Sequence, residues 1–218
     1  YGMTENSSHQ YTHPSDATET IVGSCGRGGQ AYEVRLFDPN DPDREVGLGE
    51  VGHIGGRGAA LMLGYFNNQG ATEGSFNSDG WFMSGDLGIM DGQGNLRIEG
   101  RLKDLIIRGG HNIYPSHIED IAVRHKDAGR VAAFPVPDDR LGERVCIAVS
   151  GAIQPDELVD HLQRQGLSKY EIPEYFIRVE EFPLTASGKI LKRELVLQVR
   201  RGELKPLPIR NKTVAKTA

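Results

Sequence analysis

The side chains best suited to chemistry in this 218-residue chain fall in a few short stretches. Pro183-Leu184-Thr185-Ala186-Ser187-Gly188-Lys189 sets a primary amine on a loop of small residues just before an amphipathic segment, where it could reach an anion. A loop lysine on its own is more often simply solvated. Between Gly100 and Pro115, Arg101 and Lys103 frame the apolar run Leu105-Ile106-Ile107, which ends on Gly109-Gly110. Paired glycines let backbone turn sharply or come close to a ligand. Alone, this stretch reads as a strand, a glycine turn and a capped helix. Asp86 after Gly85 reads as a turn aspartate, and Thr4-Glu5 as a solvated pair near the start of the chain.

Several familiar chemistries are excluded. The Lys189 loop is not a phosphate-binding Walker loop, since Pro183 replaces its first glycine and Ile190 its magnesium-holding Ser/Thr. Gly26-Arg27-Gly28-Gly29 lacks the strand, helix and downstream acid of a dinucleotide fingerprint. The acids Asp38, Asp41, Asp43 and Glu45 miss calcium-loop spacing and read as a solvated turn.

The elements that must position these residues change character at Lys103. Before it, the chain alternates short strands (34–37, 50–54, 81–83 and 95–98) with Asp/Asn/Gly turns, and residues 67–76 form a loop or short helix. After it, a helix from Pro115 to about His125 buries Ile118, Ile121 and Ala122, with Glu119 spaced from Ser116 as in a capping box. Strands at 131–136 and 144–149 follow, then a helix from Pro155 to Gly166 with Asp156 and Glu157 in its first turn. A third strand is expected at 175–179, an amphipathic helix from about Leu191 to Gly202, and a frayed tail from Lys205.

Apolar residues make up 38% of the chain, and no run approaches the roughly 18 apolar residues of a membrane-spanning helix. Cys25 and Cys146 are too distant in sequence for a metal knuckle, which predicts a reducing, cytoplasmic setting without structural disulfides. The net charge of −5 is uneven: residues 183–218 hold nine Lys/Arg against two Glu, so that tail carries +7 and the preceding body −12. An acidic body argues against nucleic-acid partners.

Taken in order, these segments resemble the adenylate-forming superfamily, which includes acyl-CoA synthetases, luciferases and the adenylation domains of peptide synthetases. Tyr1-Gly2-Met3-Thr4-Glu5 resembles its nucleotide motif. Residues 49–58 and 61–65 resemble its structural strand segment, and Asp79 to Asp86 its ribose motif, with Ser84 where threonine is commoner. Gly100 to Glu119 resembles the hinge motif, Leu167 to Pro173 the short motif after it, and Pro183 to Lys189 the catalytic-lysine loop. The phrasing around residues 107–115 is closest to ligases for medium-chain or alicyclic acids such as cyclohexanecarboxylate.

The resemblance implies an α+β fold: a small antiparallel, barrel-like β subdomain (1–102, the remnant of a larger N-terminal domain), a mobile α+β C-terminal domain (103–204) and a tail (205–218). It implies an enzyme joining a small carboxylic acid to ATP with magnesium, giving acyl-AMP and pyrophosphate, then passing the acyl group to coenzyme A. Tyr1 would lie against adenine, Asp86 would hold the ribose hydroxyls and Arg101 would bind close by. Thr4 would contact the α-phosphate, Glu5 would hold magnesium, and Lys189 would stabilise charge as the carboxylate attacks. Lys103 would be the hinge about which the second domain rotates, and Gly109-Gly110 the path of the thiol arm. The chain starts at Tyr1, so the expectation is a fragment, inactive alone, whose phosphate loop and acyl pocket lie upstream. The alternative is a non-catalytic binding or interaction module of the same origin.

Overall fold

The computed structural model describes residues 1–209. The chain divides into two compact units, Tyr1–Lys103 and a second from Asp104 onward.

The first unit is built on β1 (Tyr32–Asp38), β2 (Asp41–Glu45), β3 (Val51–Gly58), β4 (Phe82–Met90) and β5 (Leu96–Arg101). They form one antiparallel sheet in the order β2-β1-β3-β4-β5. The sheet is open, with β2 and β5 as edges, so the barrel-like expectation is corrected while the α+β class holds. The first strand of the sheet order does not pair with the last, and Leu36, Ile54 and Leu96 form one buried cluster in this unit. The acidic run expected to be a turn contributes a strand: the chain reverses after Asp38, and Asp41–Glu45 pairs back on β1 with every residue exposed. Asn68 caps the short helix Gln69–Glu73 by accepting from the Ala71 N–H at 3.1 Å.

The second unit contains β6 (Ile106–Arg108), β7 (His111–Ile113), α1 (Pro115–Ala122), β8 (Val131–Asp138), β9 (Gly142–Val149), α2 (Pro155–Arg164), β10 (Tyr175–Arg178), α3 (Lys192–Arg200) and β11 (Leu207–Pro208). β9 is its spine. It pairs along its length with β8, in parallel with β10, and at Gly142 with Arg108 of β6. Both its faces are covered, as the two-residue period requires. Val145, Ile147 and Val149 join Ile118, Ile121, Leu158 and Leu162 of α1 and α2, while Cys146 and Ala148 join Phe134, Ile177 and Leu195 of α3 on the other face.

Two expectations fail here. Glu119 does not close a capping box: Pro115 starts α1 after Tyr114, and the Glu119 carboxylate turns inward to the Ala133 N–H and the Lys192 ammonium. The segment from Lys205 is not a frayed tail as far as it is described. Leu207 and Pro208 pair with Phe176 and Tyr175, and the Ile209 N–H donates to the Glu174 carbonyl at 2.9 Å, because β10 otherwise has an open edge. The remainder of that tail, residues 210–218, lies outside the described residues.

Candidate nucleotide and acyl-transfer sites

In the first unit the structure brings together Tyr1, Asp86 and Arg101. Asp86 and Arg101 are cross-strand partners on β4 and β5, which places Asp86 Oδ1 3.5 Å from Arg101 Nε. The Tyr1 hydroxyl donates to Asp86 Oδ2 at 2.6 Å. Burial and that hydrogen bond push the Tyr1 phenol far above its ordinary value, so it remains a donor at all physiological pH. An ionised carboxylate offers about four lone-pair sites. Tyr1 and Arg101 occupy two directions, which leaves acceptor capacity for a vicinal diol.

The chain bends to aim Asp86. Gly85 adopts φ +79°, a region that disfavours side chains, and its N–H donates to His53 Nε2 at 2.8 Å. His53 Nε2 is therefore the acceptor nitrogen, and burial lowers its pKa, keeping the ring neutral. Ser84 Oγ donates to the Ile54 carbonyl at 2.8 Å and accepts from the Asp86 N–H at 3.1 Å. A serine serves both bonds, so the departure from threonine at this position leaves the local geometry supplied. Sequence reasoning missed His53, since nothing 32 positions upstream signals a partner for Gly85.

Thr4 and Glu5 sit at the turn between the two-residue strands Gly2–Met3 and Ser7–Ser8. Thr4 is exposed. Glu5 Oε1 accepts from the Tyr65 hydroxyl at 3.1 Å, and the Glu5 carbonyl accepts from the Met62 N–H at 2.7 Å. A single hard, partly exposed carboxylate fits magnesium, which keeps most of its waters and takes its other ligands from phosphates. Arg101 and Lys103 are exposed, the latter in a short 3-10 turn, Leu102–Asp104.

In the second unit Gly109 (φ +56°) and Gly110 (φ +83°) form the two-residue turn of the β6–β7 hairpin, a conformation that needs positive φ at both positions. A Cβ on Gly110 would meet nothing within 4 Å, so backbone is presented to open space there.

The Lys189 loop is a tight turn tied to Thr185. The Thr185 N–H donates to the Lys189 carbonyl at 2.8 Å, and the Lys189 N–H to Thr185 Oγ1 at 3.0 Å. Gly188 supplies φ +83°. Lys189 is exposed, whereas Lys192 nearby is committed, its Nζ 2.7 Å from Glu119 Oε1. Of these two lysines, Lys189 is the one presented to solvent.

One further set, His125, Asp127 and Glu157, brings metal-ligand atoms within 4.8 Å of one another. His125 Nδ1 accepts from the Asp127 N–H, which leaves the proton on Nε2 facing Glu157 at 3.5 Å. The ring offers a proton there in place of a lone pair, so the set reads as a hydrogen-bonded cluster.

Residues 117–189 match the AMP-binding enzyme C-terminal domain. The chain's relatives are acyl-CoA synthetases and ligases. Among its relatives, the mitochondrial medium-chain acyl-CoA ligase ACSF2 of Homo sapiens is 36% identical over 205 residues, covering 92% of this chain and 33% of the relative. The medium-chain fatty-acid–CoA ligase of Escherichia coli is 34% identical over 197 residues, 88% of this chain and 34% of the relative. ATP-bound MatB from Rhodopseudomonas palustris superposes with a TM-score of 0.82 at 29% identity, covering 92% of this chain and 40% of that one. The O-succinylbenzoate coenzyme A synthetase MenE of Bacillus subtilis, in complex with AMP, gives 0.79 at 32% identity, covering 89% and 40%. The chain thus spans about a third of the length of the curated relatives it matches. Among the described residues, no helix is long and apolar enough to cross a membrane.

Proposed function

We propose that the chain is the part of an ATP-dependent carboxylate–CoA ligase that grips the nucleotide ribose, supplies the catalytic lysine and admits the thiol. The observation that carries this reading is Asp86, held between the Tyr1 phenol, whose pKa is pushed up by burial, and Arg101, with acceptor capacity to spare. In the first step a carboxylate oxygen attacks the α-phosphorus of ATP, and the bond to pyrophosphate breaks. Lys189 stabilises the charge that develops on the phosphoryl oxygens, Thr4 donates to the α-phosphate, and Asp86 fixes the ribose. Glu5 would hold magnesium, which on binding shields the triphosphate from the incoming anion. In the second step the sulfur of coenzyme A attacks the acyl carbon, the thiol proton is lost, and AMP departs with the electron pair of the mixed anhydride. Lys103 is the hinge between the steps, and the pantetheine arm passes along Gly109-Gly110, beside Leu141 at Gly109 and over the open backbone at Gly110. The names of the relatives point to a medium-chain fatty acid as the carboxylate.

The test uses the longer polypeptide that contains this chain, because the relatives are about three times its length. Lys189→Ala is expected to slow acid-dependent ATP–pyrophosphate exchange by roughly 10²–10³-fold. Thioester formation from supplied acyl-AMP should persist, and equal loss of both steps refutes the assignment. The 218 residues alone are expected to release no pyrophosphate with any acid.

A further inference from the structure

The turn at Gly109-Gly110 is made from the most permissive backbone available, and its flanking strands β6 and β7 have three residues each. Such a hairpin is marginal by itself. Something must hold it if it is to keep one shape beside a ligand.

The holding device is a closed circuit of charge. Arg108, the residue before Gly109, donates from Nη2 to Glu174 Oε1 at 2.6 Å and from Nε to both carboxylate oxygens at 3.1 and 3.2 Å. The pair is largely buried, with side chains 20% and 13% exposed. Arg144 extends it, reaching Glu174 Oε1 at 3.4 Å and donating to Asp138. Asp138 Oδ1 accepts from the Leu141 and Arg140 N–H groups and so shapes the turn between β8 and β9. That turn presents the Leu141 carbonyl to the Gly109 N–H at 2.8 Å, which returns the circuit to its start. On the remaining side the Ile107 N–H donates to Glu143 at 2.8 Å. The backbone is thus tethered at Ile107, Arg108 and Gly109, and Gly110 is left open.

We propose that Arg108, acting through Glu174, is the positioning residue that sets the Gly109-Gly110 turn for the acyl-transfer step. Arg108 does not touch the reacting atoms; it removes the freedom that two glycines would otherwise spend when the thiol arm binds. A lysine keeps the charge but not the fork, so it holds the turn less well. The inference rests on the reading of the chain as part of a CoA ligase.

Two measurements test it. In the 218-residue chain, Arg108→Ala is expected to speed amide exchange at Gly109, Gly110 and His111 while the α2 amides keep their protection. Unchanged exchange at Gly109 overturns the proposal. In the longer enzyme, Arg108→Ala should slow acyl transfer from supplied acyl-AMP to coenzyme A by about 10–100-fold, with a raised KM for coenzyme A and unaltered ATP–pyrophosphate exchange. Arg108→Lys should fall between, and Arg108→Ala with Glu174→Ala should lose no more than either alone. Equal loss of both half-reactions, or additive losses, overturns the positioning role. A wild-type enzyme that forms acyl-AMP but never a CoA thioester overturns the functional reading together with this one. A wild type that makes thioester no faster than Arg108→Ala overturns this one alone.

Discussion

Removing the Glu119 carboxylate should loosen the second unit, and by an amount the structure lets us work out. Glu119 lies on α1 with its side chain 19% exposed, accepts from the Ala133 N–H at 2.6 Å, and pairs with Lys192 at 2.7 Å, thereby fastening the start of α3. Glu119→Ala removes a charged hydrogen bond worth about 1.5–3 kcal/mol and strands a buried N–H at a further cost of about 1–3 kcal/mol. Partial collapse of the site and the residual exposure of Lys192 bring the expected net loss to about 2–4 kcal/mol. For a unit of about 100 residues, that lowers Tm by roughly 8–25 °C. Glu119→Gln keeps an acceptor for Ala133 and should cost much less. The sign of its pH dependence follows from burial, which raises the Glu119 pKa above the ordinary glutamate value despite the pull of Lys192 and the Ala133 N–H. A folded pKa above the unfolded one means that the native state takes up the proton first. The stability this group contributes is present below about pH 4.5 and is lost as pH rises through the folded value. Relative to wild type, Glu119→Gln should therefore fare better at pH 7 than at pH 4.5. Urea melts of the three chains at both pH values decide the matter. A Glu119→Ala loss below about 0.5 kcal/mol, or a Gln variant relatively worse at neutral pH, refutes the reasoning.

If Asp86 holds the ribose hydroxyls as proposed, Asp86→Ala should weaken AMP binding by roughly tenfold or more in the longer enzyme, read by titration calorimetry, since two charge-assisted acceptor bonds would be lost. Cys146 is fully buried and its thiol is pushed far up by that burial, so a thiol reagent at pH 8 should leave it unmodified until the chain is unfolded. His9 is stacked on Tyr32 with ring centroids 4.2 Å apart, and burial lowers its pKa to about 4. Its stabilising contribution is complete above about pH 6.5 and is lost as pH falls towards 4, so His9→Gln should flatten the stability profile across that window.

What the sequence made legible followed burial. β8 and β9 announced themselves through unbroken apolar runs covered on both faces, and α2 through Pro155, its acidic first turn and the terminating Gly166. Elements held by ladder hydrogen bonds alone left no such trace. Asp41–Glu45 is a strand of exposed charges, and Leu207–Pro208 joins the sheet only because β10 has a free edge. The Asp86, Arg101 and Lys189 positions were readable as residues in motifs. Their partners were not: the contact between Tyr1 and Asp86 spans 85 positions, and nothing in local spacing marks His53 as the acceptor for Gly85. Glu119 misled because capping-box spacing describes a side chain facing its own helix start, whereas burial beneath Lys192 turned it the other way.

The groups around Asp86 have a consequence for how the protein senses its surroundings. Burial raises the pKa of the Tyr1 phenol far above its ordinary value and lowers that of the His53 ring, and both shifts favour the neutral form. On the proposed reading, the hold of Asp86 on a ribose should accordingly respond little to modest acidification or alkalinisation around neutrality.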